Sequence, residues 1–255
     1  MYRGRPFQIR PLEDVLADIS EAEAFAGEVR HVFVADGDPL GMPLEHWEAI
    51  LRALASTFPR LRRVSTYATA RNLLEKSEAE LRRLREGGLS LLYIGPESGD
   101  DETLHRLAKG ADAADHVEAA RRAKACGMAQ SLMFLLGAGG QERSEAHARA
   151  SGRLASAMDP RFLSALTLTI IPGSPLSKLA EQGRFELPDV PGLLTELRWF
   201  IEEASPSAAI FRCDHASNYL PIAGRLPRDR DAILAAIDEA LAGRVALRPK
   251  WARGL

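Results

Sequence analysis

A run of apolar and β-prone residues, Leu89-Ser-Leu-Leu-Tyr-Ile94, shows no strict alternation of polar and apolar positions. Such a run is typical of a strand that is buried on both faces, as the strands of parallel sheets are. The strand is predicted to stop at Gly95-Pro96, with Glu97 and Ser98 at its carboxyl end. Ligands of parallel α/β folds bind at the carboxyl ends of strands. Taken alone, an ordinary turn between a strand and a helix is the simpler explanation of these residues.

Strands and helices are predicted to alternate along the whole chain. Six strands are expected near residues 30, 61, 89, 130, 163 and 208. Helices between them are indicated by apolar residues at helical spacing and by caps such as Ser77-Glu-Ala-Glu80. Repeated strand–helix units form parallel sheets, so we expect either a (β/α) barrel, complete or partial, or an open doubly wound sheet. Residues 67–72 are predicted to form a loop, and the stretch before a helix at 193–203 is predicted to be loop-like.

The domain organisation and the surroundings of the protein follow from composition. No Pro/Ser-rich linker divides the 255 residues, so a single domain over 1–255 is predicted, with 177–255 as its C-terminal extension. Lys and Arg total 33 and Asp and Glu total 35, and the net charge of −2 argues against nucleic acid or an anionic membrane as a partner. No apolar stretch is long enough to span a bilayer, and the start does not resemble a signal peptide. Two cysteines far apart make a disulfide framework improbable, which favours a reducing cytoplasm.

Polar or glycine-rich residues follow all six predicted strands, which makes a shared functional face more plausible than six separate ordinary turns. These strand ends carry Asp36 and Asp38, Ser65 and Tyr67, Glu97 and Ser98, Gly137 to Glu142, Pro172 to Ser174, and Asp214 and His215. Asp38 suits an ammonium group or a hard metal ion, and Glu97 suits hydroxyl groups such as those of a ribose. The glycine-rich turn allows a ligand to approach the backbone closely. No motif of a nucleophilic, phosphate-binding or zinc enzyme is present, and Cys213 is best explained as an incidental thiol.

Together, the strand ends resemble those of the radical S-adenosylmethionine (radical SAM) superfamily, in particular its oxygen-independent coproporphyrinogen-oxidase-like branch. Asp36-Gly37-Asp38-Pro39 lies where the family has Gly-Gly-Glu-Pro, and Glu97-Ser98 resembles the position that binds ribose. Gly137-Ala-Gly-Gly-Gln-Glu142 is similar to the turn beside the adenine, and Pro172-Gly-Ser-Pro-Leu176 is similar to a later family turn. The residues that the resemblance implies for cofactor binding are Gly37, Asp38, Pro39, Ser65, Glu97, Ser98, Gly137, Gly139, Gly140 and Glu142. It leaves the catalytic residues unknown and implies no metal ligand among the 255 residues.

One family feature is missing. The family binds a 4Fe–4S cluster through Cys-x-x-x-Cys-x-x-Cys, in which three thiolates leave one iron for SAM. Neither Cys126 nor Cys213 lies in such a motif. Since a sequence similar to Met1-Tyr-Arg can follow the last cluster cysteine, we expect the chain to be truncated just after the cluster loop. The fold expected is then a partial TIM-like (β/α) barrel of about six parallel strands that lacks the first strand.

Three hypotheses remain open at this point. In the first, the chain is part of a radical SAM enzyme that cleaves SAM to a 5′-deoxyadenosyl radical, with an unknown small-molecule substrate and an electron donor protein as partners. In the second, it is a non-catalytic remnant that binds a nucleoside-like ligand or a protein. In the third, it is an unrelated barrel enzyme that uses Asp38, Glu97 and His215 as acid–base groups.

Overall fold

The computed structural model describes residues 8–253. Met1-Tyr-Arg, which resembles a sequence after the family's cluster loop, lies outside the described residues. The strands are β1 His31–Val34, β2 Arg63–Ala68, β3 Leu89–Glu97, β4 Ala129–Leu136, β5 Phe162–Thr167, β6 Ala209–Arg212 and β7 Ala223–Leu226. The helices are α1 Leu12–Glu21, α2 Leu44–Thr57, α3 Ala70–Glu75, α4 Glu78–Glu86, α5 Asp101–Arg106, α6 Ala113–Ala125, α7 Gly140–Met158, α8 Pro175–Glu181, α9 Val190–Glu203 and α10 Arg230–Leu241.

The strands belong to one seven-stranded sheet in which they follow one another in chain order. The pairs β1–β2, β2–β3, β4–β5 and β5–β6 are parallel, and β6–β7 is antiparallel. The fold is therefore a mostly parallel α/β sheet with helices in its connections, which confirms the predicted fold class. All six predicted strands are present, and β7 is an additional strand that the sequence did not indicate.

Several predicted boundaries were wrong. The segment 67–72 is the end of β2 and the start of α3, and part of the loop-like stretch before α9 forms α8. The sequence predicts a helix over about 144–157, but α7 begins four residues earlier, at Gly140, because the glycine-rich turn leads directly into it. The sequence predicts a strand over about 163–171, but β5 ends at Thr167. The sequence predicts a helix cap at 99–101 but not the short helix α5 that follows it.

The chain divides into two compact units. The first contains the described residues up to Ile94 together with Glu118–Gln130, and the second contains Gly95–Val117 and Ser131 onward. In the first unit, helices α2, α3 and α4 bury apolar side chains that include Trp47, Leu73 and Leu81. The capping box predicted at Ser77 is present, since Ser77 and Glu80 exchange side-chain and backbone hydrogen bonds.

In the second unit, α7, α9 and β6 contribute to an apolar core. Phe134 and Phe200 lie with ring centroids 5.4 Å apart, and Phe211 lies 6.5 Å from Phe200 on the other side. All three rings are almost fully buried and therefore contribute to the hydrophobic stabilisation of this unit. Within the described residues, no helix is both long and apolar enough to cross a membrane.

Candidate functional site

In the first unit, the turn after β1 has an unusual backbone. Asp36 and Gly37 both have positive φ, at 76° and 52°, and the carboxylate of Asp36 accepts a hydrogen bond from the Gly37 amide at 2.9 Å. Left-handed backbone is tolerated best by glycine and by short polar residues such as Asp, which explains these residue types. The buried Pro39 follows, and its carbonyl accepts a hydrogen bond from the Trp47 indole at 2.9 Å. The turn is thus fixed by its own geometry and by α2.

Asp38 is held by a helix that the sequence did not predict. Its Oδ2 accepts a hydrogen bond from Nδ2 of Asn72 at 3.1 Å. Asn72 in turn forms a capping box with Thr69 at the start of α3. The half-buried Asp38 carboxylate therefore has a defined direction before any ligand is bound.

Ser65 shares one face of the first unit's sheet with three aromatic side chains. It lies opposite Phe33 in the β1–β2 register, and Tyr67 and Tyr93 pair on the same face. The ring of Phe33 packs edge-on against Tyr67 at 4.8 Å and Tyr93 at 5.1 Å. Phe33 is 40% exposed and Tyr67 44% exposed, whereas Ser65 is only 3% exposed. The aromatic rings, more than Ser65, are what this face presents to solvent.

In the second unit, Glu97 ends β3 in a left-handed conformation, with φ of 68°. This conformation costs about 1–3 kcal/mol for such a residue and often marks a functional site. Its carboxylate turns back over Gly95, where any side chain larger than hydrogen would collide with Oε1. Lys109 pairs with the same oxygen at 3.2 Å. Backbone, glycine and lysine together fix the direction of an acceptor group that is 22% exposed.

Ser98, next to Glu97, is fully buried and engaged within the protein. Its Oγ lies 2.7 Å from Nδ1 of His147 and accepts a hydrogen bond from the Asp100 amide at 3.0 Å. Gly99 is pressed against the backbone carbonyl of Ala150 in α7. Ser98 and Gly99 therefore fasten the end of β3 to α7.

The glycine-rich turn after β4 packs against the chain itself. A Cβ on Gly137 would lie 2.6 Å from Leu187, and one on Gly139 would lie 2.7 Å from Cβ of His147. Gly140 faces Phe185, and the Gln141 amide donates a hydrogen bond to Glu186 at 2.8 Å. Part of the space that these glycines leave is therefore filled by α7 and by the segment 185–187.

A cavity of about 440 Å³ borders the start of α7 in the second unit. It is lined by residues 139–142, by Arg106 and by residues 183–186. Glu142 is exposed at this position and pairs with Arg106 at 3.2 Å. Glu97 does not line this cavity, although its turn and the glycine-rich turn both pack against His147.

Sequence reasoning missed the buried residues that join the two turns. Nε2 of His147 lies 3.0 Å from the Leu135 carbonyl and 3.4 Å from the carboxylate of Glu196. Glu196, on α9, accepts hydrogen bonds from the Gly137 amide and from Ser144. In the sequence, His147 and Glu196 are only polar residues on otherwise apolar helix faces. Their burial and their contact become apparent only when the helices are packed.

Asp100 provides a second link between the end of β3 and α7. It caps α5 through Thr103 and forms a two-pronged ion pair with Arg143, at 2.7 and 2.8 Å. The Arg143 guanidinium, helped by the Thr103 hydrogen bonds, lowers the pKa of Asp100 to about 2. The carboxylate is therefore ionised throughout the physiological range.

The remaining predicted strand ends serve the fold. Ser174 caps α8 by accepting a hydrogen bond from the Ser177 amide. Ser217 hydrogen-bonds to His215 at 2.9 Å and to the Thr167 amide at 3.2 Å. Burial raises the pKa of the Cys213 thiol to about 12, so this cysteine is not a reactive nucleophile.

The residues do not fit a 4Fe–4S cluster. The chain has two cysteines, Cys126 and Cys213, and both are buried. In the part of the chain that the structure describes, no group of three His, Cys, Asp or Glu side chains is placed to hold a metal ion. Three thiolates are needed to bind three irons of such a cluster.

Comparison with known proteins identifies the family. The model of the radical SAM superfamily matches residues 2–150, which is more than half of the chain. The chain therefore belongs to the radical SAM superfamily. The family uses SAM together with a 4Fe–4S cluster, and the matched region contains both units' candidate turns.

Individual relatives agree with this assignment. The chain is 22% identical to the heme chaperone HemW of Bacillus subtilis (strain 168) over 188 residues, which cover 71% of the chain and 49% of HemW. The coproporphyrinogen III oxidase HemN of Escherichia coli, a radical SAM enzyme, matches with a TM-score of 0.60 and 18% identity, over 75% of this chain and 44% of HemN. Elp3 of Methanocaldococcus infernus matches with a TM-score of 0.56 and 15% identity, over 74% of this chain and 49% of Elp3.

These structural likenesses show the fold. The chain spans about half the length of the relatives it matches. The activities of the complete relatives are therefore only proposals for this chain.

Proposed function

We propose that the second unit binds the adenosyl part of SAM through Glu97. The observation that carries this proposal is the strained, fixed carboxylate at the carboxyl end of β3, held by Lys109 and by the turn over Gly95. Two carboxylate oxygens suit the two neighbouring hydroxyl groups of a ribose, and Glu97 matches the family's ribose-binding position. The backbone of residues 137–142 then lies beside the adenine, as the family resemblance implies.

In the first unit, taken by itself, the Asp36–Pro39 turn is proposed to receive an ammonium group. Its support is a carboxylate, Asp38, whose direction is already fixed by Asn72. When SAM is bound and reduced by a cluster, it supplies an organic radical that removes a hydrogen atom from a substrate. The residues of this chain bind and orient SAM in this proposal, and they supply no cluster ligand.

The wider activity is proposed only for a protein that also carries cluster ligands. Such a protein would act on a small molecule and would receive electrons from a donor protein. A second candidate function, favoured by the two buried cysteines, is a non-catalytic domain that retains nucleoside binding. Two buried free thiols and the absence of a disulfide between them also support a reducing compartment such as the cytoplasm.

Calorimetric titration with S-adenosylhomocysteine, a stable analogue of SAM, tests the proposal. Glu97→Ala removes the acceptors for two ribose hydroxyls, a loss of about 1–3 kcal/mol. We expect an affinity lower by roughly five- to a hundredfold. Glu97→Gln keeps one oxygen acceptor and should fall between the wild type and Glu97→Ala.

Glu118→Ala is the matched control, because Glu118 lies on α6 and pairs with nearby Arg121 at the surface. It should bind as the wild type does. An affinity of Glu97→Ala equal to that of the wild type, in a folded protein, would contradict the ribose assignment. Equal affinity for adenosine and for S-adenosylhomocysteine would favour the nucleoside-binding alternative.

A further inference from the structure

The turn that carries Glu97 and the glycine-rich turn are joined by a chain of buried polar groups. Ser98 lies next to Glu97 and contacts His147, and His147 contacts the Leu135 carbonyl at the end of β4. Glu196 completes the chain, because it lies beside His147 and accepts a hydrogen bond from the Gly137 amide. Every group in this chain belongs to the second unit.

The donors and acceptors of the chain are mutually consistent. The Leu135 carbonyl can only accept, so Nε2 of His147 carries a hydrogen and donates it there. On the other side of the ring, Nδ1 shares a hydrogen bond with the Ser98 hydroxyl at 2.7 Å. The Ser98 oxygen remains free to accept from the Asp100 amide. His147 is thus held in one orientation from both sides.

Glu196 needs an explanation beyond packing. Its side chain is fully buried on α9, a helix whose other inward residues are largely apolar. Burying a carboxylate is costly unless several donors compensate it. The Gly137 amide and the Ser144 hydroxyl are such donors, and both belong to the glycine-rich turn or to the first turns of α7. An apolar residue would fill the same space at lower cost but would leave the Gly137 amide without this acceptor.

We propose that His147 and Glu196 are positioning residues for the cofactor site. They hold the Glu97 turn and the glycine-rich turn at one fixed separation, so that the ribose and the adenine of one ligand meet both turns together. This inference rests on the proposed function for the ligand, while the coupling of the two turns is a property of the protein alone.

Three substitutions test the coupling. Ser98→Ala removes the contact with His147 at almost constant volume, and Glu196→Gln replaces one of the two carboxylate oxygens by a donor group. Ser156→Ala is the control: it removes the hydrogen bonds that the partly buried Ser156 hydroxyl makes with the Gly152 and Glu203 carbonyls and with the Ser205 amide, at the other end of α7. Amide hydrogen exchange of the ligand-free protein is measured over residues 95–100 and 135–141.

We expect Ser98→Ala to raise exchange in the distant 135–141 segment by about fivefold, the factor for one hydrogen bond. Glu196→Gln should raise exchange in the 95–100 segment as well, whereas Ser156→Ala should change neither. Exchange that rises only beside each substitution would overturn the inference.

Ligand binding provides the second readout. Ser98→Ala and Glu196→Gln should each weaken S-adenosylhomocysteine binding, and their combination should weaken it less than the product of the two effects, because they break one connected chain. Losses that multiply would overturn the shared positioning role. If the wild type binds no S-adenosylhomocysteine, the proposed function fails, and the exchange measurement still decides whether the turns are coupled. If the wild type binds and none of these effects appears, the positioning role fails and the proposed function stands.

Discussion

At the scale of single residues, the glycines of the site are fixed by what packs against them. A Cβ on Gly99 would lie 2.2 Å from the Ala150 carbonyl oxygen, and one on Gly139 would lie 2.7 Å from Cβ of His147. Both neighbours lie on α7, so neither glycine can gain a side chain without moving a helix. A valine at 139 would therefore disturb the fold as well as any ligand, which makes Glu97 the cleaner position for testing binding.

Gly99→Ala is expected to destabilise the protein by about 3 kcal/mol or more, because its Cβ would overlap a backbone carbonyl that cannot rotate away. Urea unfolding measures this change. Gly27→Ala is the control, since nothing lies within 4 Å of the added carbon and φ is not positive there. It should stay within about 1 kcal/mol of the wild type. Similar stabilities for the two variants would show that the turn at Gly99 is looser than described.

At the scale of elements, α7 organises the second unit's candidate site. It begins in the glycine-rich turn, and Arg143, His147 and Ser151 each bond to the segment after β3. The stability of the protein should therefore depend on whether the charged groups in these α7 contacts are ionised.

Asp100 makes that dependence measurable. Its pKa of about 2 lies below the ordinary value of 3.8, so the folded state favours the ionised carboxylate. The stabilisation is complete above pH 4 to 5 and is lost as pH falls toward 2, with a total of about 2 kcal/mol. Asp100→Asn should lose this amount at pH 7, and its difference from the wild type should shrink on acidification.

Urea unfolding of both proteins between pH 7 and pH 3 checks the prediction. Asp18→Asn is the control, because Asp18 pairs with Arg10 at the surface, where both side chains are 56% exposed. It should show no comparable loss. A stability difference for Asp100→Asn that does not depend on pH would mean that the Arg143 pair is not its cause.

The elements that sequence patterns predicted are those long enough to show a period. The central strand and α2, α4, α6, α9 and α10 were expected from apolar spacing and caps. Helices α3, α5 and α8 have six or seven residues, fewer than two full turns. Strand β7 is as short as β1 and β6, but its sequence Ala-Gly-Arg-Leu lacks the β-branched and aromatic residues that indicate those strands. Glu97 was predicted because it directly follows a strand. His147 and Glu196 were not, because their contacts join helices about 50 residues apart in sequence.

At the scale of the whole molecule, the chain belongs to a family that uses a 4Fe–4S cluster, but its 255 residues do not supply the ligands for one. More than half of the chain matches the radical SAM superfamily, yet its two cysteines are buried and no three thiolates are available. Binding of SAM and reduction of a cluster are separable tasks. The proposed roles of the described residues concern the binding of SAM. The central claim is therefore about ligand binding.

A crystal structure of the chain with S-adenosylhomocysteine tests this claim most directly. We expect the ribose hydroxyl oxygens to lie within about 3.5 Å of the Glu97 carboxylate. We also expect the adenine to lie against the backbone of residues 137–142. A bound ligand whose ribose contacts neither Glu97 nor its turn would contradict the account, as would density showing no ligand at a concentration that saturates binding in solution.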